Sequence, residues 1–148
     1  MRRTEPKSLT PQELKKALIV AGFEVYRTYG DEVVLADRVR DNLILDSGVR
    51  VRSGSQLEIR LIMGLRRSQY PVDDEPTLFN RVRQLAAPLL SEGFLEVNTT
   101  VSPVSDPADA SHTLDTFYEV VFAKKIASLE ESGLRLALKV AKMAESRH

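Results

Sequence analysis

The chain contains no cysteine and no tryptophan, only two histidines, and 21 basic residues that cancel 21 acidic ones over 148 positions. Without cysteine there is no disulfide, no thiolate metal ligand and no thiol nucleophile, a usage compatible with a reducing compartment, of which the cytoplasm is the default. Zero net charge removes the global field that draws a protein to nucleic acid or to an anionic membrane, so an electrostatic partner must be met locally. No run of about 18 apolar residues occurs. The segment Met1–Lys16 also lacks an apolar stretch of signal-peptide length, so neither spanning nor secretion is expected. Also absent are Gly-x-Ser-x-Gly, His-Glu-x-x-His and a glycine-rich phosphate loop before a helix. Neither a catalytic residue nor a cofactor is implied.

What is present is a globular composition, 43% hydrophobic and 28% charged, in a length that suits one domain. Residues 1–9 read as a polar, flexible lead-in and 10–148 as a single α+β domain. Thr10, Pro11 and Glu13 form a capping box with proline in the first turn. Leu14, Ala17, Leu18 and Ala21 then recur at helical spacing up to the stop at Gly22. From Phe23 the period shortens, and Val25, a turn at Gly30–Asp31, Val33 and Leu35 read as a hairpin. A second hairpin is expected from Leu43–Leu45 and Val49–Arg52 around Asp46-Ser47-Gly48. Leu57, Ile59, Leu61, Met63 and Leu65 alternate with Glu58, Arg60, Ile62 and Gly64, the pattern of a strand with one buried face.

An acidic connector, Pro71–Glu75, precedes a helix opened by Pro76 and bent by Pro88. Leu95–Val101 alternates as a strand, and Ser102–Asp115 reads as a long polar loop. Thr116–Lys124 is bulky on both faces, with Phe117 and Val121 on one side and Tyr118, Val120 and Phe122 on the other, which suits a central strand or one covered by a partner. A last helix capped by Ser128 or Ser132 carries Leu134, Ala137, Leu138 and Ala141. The expected architecture is a mainly antiparallel sheet with N-terminal, middle and C-terminal helices.

Three functional readings follow. Surplus apolar strand and helix surface, with few catalytic groups, favours a noncatalytic protein-binding module. Its partner-binding candidates are Arg50, Arg52, Arg60, Arg66, Arg67, Phe117, Tyr118 and Phe122. A second reading is a small-molecule- or metal-binding, enzyme-like domain whose pocket, between the sheet and a helix, draws on Arg60, Tyr118 or His112, with Asp106, Asp109 and His112 as candidate metal donors. A third is an anion or nucleic-acid binder, since Val49–Tyr70 holds five arginines against Glu58, a local +4, while Pro71–Glu130 carries a local −6. No aromatic residues interleave with the arginines, so base stacking has little support and nucleic acid is an unlikely partner.

The order helix, three or more antiparallel strands, helix, two strands, helix, spanning Thr10 to Met143, resembles the class I type III secretion chaperones and the related bacterial sensory transduction regulators. That resemblance implies a homodimer that binds an extended protein segment beside its strands. The chain differs in being neutral where the secretion chaperones are acidic.

Overall fold

The structure, a computed structural model, describes residues 9–145. Its elements run α1 (Pro11–Val20), β1 (Val25–Tyr29), β2 (Glu32–Arg40), β3 (Leu43–Arg52), β4 (Leu57–Arg66), α2 (Glu75–Leu85), α3 (Ala87–Ser91), β5 (Leu95–Asp106), β6 (Asp109–Ile126) and α4 (Glu131–Glu145). The fold is therefore α+β, as expected. Its six strands form one antiparallel sheet in the order β1-β2-β3-β4-β6-β5, which makes β6 internal and leaves β1 and β5 as edges. Of the expected lead-in, residues 1–8 lie outside the described residues, and Leu9 packs against the core.

The capping box forms as the sequence requires: the Glu13 amide donates to Thr10 Oγ1 and the Thr10 amide to Glu13 Oε1, both at 3.1 Å. Asp74 caps α2 by accepting from the Thr77 amide at 2.9 Å. Pro88, which cannot donate to the carbonyl four residues back, coincides with a break at Ala86 that divides the middle helix into α2 and α3. α4 begins at Glu131, with the Leu134 amide donating to the Glu130 carbonyl at 3.2 Å, so its start lies between the two serines expected to cap it.

All four helices pack on one face of the sheet. Leu14 and Leu18 of α1, Leu78, Phe79 and Val82 of α2, Leu89 of α3, and Leu134, Ala137 and Val140 of α4 join one cluster with Val49, Val51, Ile59, Leu61, Met63, Val120 and Phe122. The alternation in β4 is borne out along its whole length: Leu57, Ile59, Leu61, Met63 and Leu65 are buried, and the residues between them are not.

Two expectations about turns change. Asp46-Ser47-Gly48 is a bulge inside the continuous strand β3, and the chain reverses earlier, at Asp41–Asn42. One local and one cross-strand bond hold the bulge. Asp46 Oδ1 accepts from the Gly48 amide at 2.7 Å, Ser47 Oγ donates to the Leu35 carbonyl at 2.7 Å, and Gly48 takes φ of 85°. These bonds absorb the extra residues of β3 without ending its ladder to β2. The polar stretch Ser102–Asp115 is likewise paired backbone, the far end of a β5–β6 hairpin that turns at Pro107–Ala108 and extends beyond the reach of β4. Polar side chains hide such a strand because both of its faces meet water.

Candidate binding surface

The face of the sheet opposite the helices is built from the even-numbered residues of β4 and their neighbours across the ladders. Val34, Arg50, Arg60, Ala123 and Leu95 form one row, and Glu32, Arg52, Glu58 and Lys125 the next. Arg50 and Arg60 stand directly opposite each other, which would be repulsive if both were unpaired. Each has its own carboxylate: Arg50 Nη2 lies 2.9 Å from Asp46 Oδ2, and Arg60 Nε bonds Glu58. Arg52 reaches Glu32 at 3.4 Å. Three of the five arginines that make the sequence locally basic are thus neutralised in place, and no uninterrupted cationic field faces solvent.

Arg66 and Arg67, adjacent in sequence, point to different surroundings because the strand ends between them. The Arg66 guanidinium lies 4.8 Å from the Phe117 ring centroid on the bare face. Arg67 turns toward α2: its Nη2 donates to Tyr118 Oη at 3.0 Å, and its Nη1 donates to the Asp73 carbonyl. Phe117 is half-buried, Tyr118 is nearly enclosed and packs edge-on against Phe79 at 5.7 Å, and Phe122 has no exposed surface. Of the three aromatic candidates, only Phe117 lies where a partner can reach it.

Arg60, Tyr118 and His112 do not share a pocket. They lie on the bare face, in the core and on the outer hairpin, respectively. His112 Nδ1 is 3.5 Å from Asp106 Oδ2, while Asp109 Oδ1 accepts from Ser111 Oγ at 2.7 Å. Among the described residues no group of three or more His, Cys, Asp or Glu side chains is placed to hold a metal ion. The hydrogen bond from Ser111 holds the Asp109 carboxyl below its ordinary range. Asp115 is depressed in the same way, first by the Ser68 hydroxyl at 2.6 Å, a contact that ties the base of the outer hairpin to the turn after β4.

Sequence reasoning did not single out the edge strand β5. Along its twelve residues, Leu95, Val97 and Val101 are exposed by 69%, 49% and 47%, and the strand has β6 on one side and none on the other. The Arg83 guanidinium grips Glu96 at 2.7 and 3.1 Å, anchoring the start of β5 to α2 and pulling the Glu96 carboxyl below its ordinary range. The signal available was the apolar alternation of Leu95–Val101, but its edge position depends on β6 inserting between β4 and β5. Among the described residues no helix is long and apolar enough to cross a membrane. No protein-family model, no curated protein and no solved structure matches this chain.

Proposed function

We propose that this protein is a noncatalytic, cytoplasmic protein-binding module, chaperone-like or regulatory, that forms a homodimer and holds a protein partner through exposed strand surface. The observation that carries the reading is β5, a long edge strand with Leu95, Val97 and Val101 exposed. Proteins that stay monomeric usually shorten, charge or cover such an edge, because its unpaired amides and carbonyls are a template for another chain. The resemblance to secretion chaperones and sensory transduction regulators agrees with this reading. Pairing of Arg50, Arg52 and Arg60 with carboxylates argues against the anion-binding alternative.

Size-exclusion chromatography with light scattering tests the proposal. Wild type should run at twice its 16.6 kDa chain mass at tens of micromolar, and a Leu95→Lys/Val101→Lys double variant should run as a monomer with unchanged circular dichroism. A wild type that stays monomeric at high micromolar concentration removes the dimer.

A further inference from the structure

β4 is ten residues long and pairs with β6 along its whole length, from Leu57 to Arg66, yet it pairs with β3 only from Glu58 to Leu61. Beyond the Val49–Leu61 pair, the bulge at Asp46–Gly48 carries β3 away with β2. The second half of β4, Ile62–Arg66, therefore has a strand on one side only, in the middle of the sheet. A cavity of about 480 Å³ fills the gap. Gly48 and Arg50 line one wall, Gly64 and Arg66 the other, and Phe117 and Glu119 border it on the β6 side. A neighbouring recess shares Gly64, Arg66 and Phe117, so the opening continues toward the end of β4.

Three features fit an extended polypeptide rather than a compact anion. First, between Ile62, whose carbonyl Gly48 approaches, and Arg66, whose amide is held by Gln69 Oε1 at 2.8 Å, β4 offers about 10 Å of one-sided main chain over Met63–Leu65. Second, the lining carries Arg50 and Arg66 against Asp46 and Glu119, a balance of zero that supplies both donors and acceptors. Third, Arg50 Nη1 is buried with no hydrogen-bond partner while Nη2 of the same group is held by Asp46, so the guanidinium is fixed with one donor uncommitted. We infer that this slot takes an extended, overall neutral segment of a partner protein. The segment pairs through its main chain with Met63–Leu65 and lays a side chain against Phe117 and Arg66. The inference rests on the protein-binding reading and names a second, separate place where that binding occurs.

A display library of random nonapeptides, selected on the full chain and followed by hydrogen-exchange mass spectrometry, tests it. Enriched peptides should slow exchange in the segment containing Ile62–Arg66, and their affinity should fall by about tenfold or more in Arg66→Glu while surviving Leu95→Lys/Val101→Lys. Arg66 is exposed at the strand end, so that variant is expected to fold. Peptides that protect only β5 and are lost in the β5 variant would overturn the slot and leave the protein-binding reading standing. Peptides rich in acids that bind only at low salt would overturn it in favour of simple charge attraction. An unenriched library would also overturn it, and the light-scattering result would then decide the β5 reading separately.

Discussion

Phe117 and Phe122 lie five positions apart on one strand, and their surroundings differ as the two sides of the sheet do. Phe122 faces the helices and has no contact with water. Phe117 faces the other way, half-exposed, with the Arg66 guanidinium 4.8 Å from its ring. The covered face is continuous hydrocarbon, whose burial supplies the main driving force for folding. The bare face sets Arg50, Arg52 and Arg60 each beside a carboxylate, an arrangement worth little to stability but one that keeps the strand surface polar without making it strongly charged. Core and solvent-facing surface are thus separated by the alternation of the strand itself.

Truncation should expose that difference most sharply. Phe122→Ala should cost about 3–5 kcal/mol in urea unfolding, whereas Phe117→Ala should cost only about 1 kcal/mol and impair peptide binding instead. Equal costs would mean that the bare face is also a core. At the junction of the two strands that separate, Gly48→Ala should cost about 2–3 kcal/mol, because Ala disfavours a positive φ and a pocket wall must move. Its new Cβ would stand 2.8 Å from the Ile62 carbonyl oxygen. Gly30→Ala is the control, with a positive φ of 58° but nothing within 4 Å of the added atom, and it should cost about 1 kcal/mol.

On the bare face, Arg60→Ala should move stability by no more than about 0.5 kcal/mol. The smallest effect is electrostatic. Asp115 and Glu96 have carboxyls depressed from 3.8 and 4.5 by Ser68 and Arg83. A carboxyl lowered in the folded state adds stability that is complete above its unfolded pKa and is lost as pH falls through the lower folded value. Unfolding midpoints should therefore hold from pH 7 to about 5 and drop below the ordinary carboxylate range. Asp115→Asn should shallow that drop slightly.

Much of the covered face was legible in the sequence because its signals are local. The Thr10–Glu13 cap, the alternation from Leu57 to Leu65 and the two faces of Phe117–Phe122 each depend on residues a few positions apart. What was not legible is long-range. That β6 lies between β4 and β5, making β5 an edge, depends on pairings such as Leu61 with Phe122 across the whole middle helix. Asp46-Ser47-Gly48 has the same local chemistry in a turn as in a bulge, and it is the pairing with β2 on both sides, with the bond from Ser47 Oγ to the Leu35 carbonyl between, that makes it a bulge. The opening between β3 and β4 follows from that bulge. Arg66 and Arg67 likewise read as one basic pair, although the end of the strand sends one to the bare face and the other to Tyr118.

Amide exchange along β5, measured as protein concentration rises from low to high micromolar, tests the central claim most directly. If this edge is the surface on which chains meet, amides within Leu95–Val101 that exchange freely in dilute solution slow together as dimer forms, while those on the outer hairpin from Asp109 to Leu114 do not change. Exchange along β5 that is independent of concentration, in a protein that also stays monomeric, would contradict it.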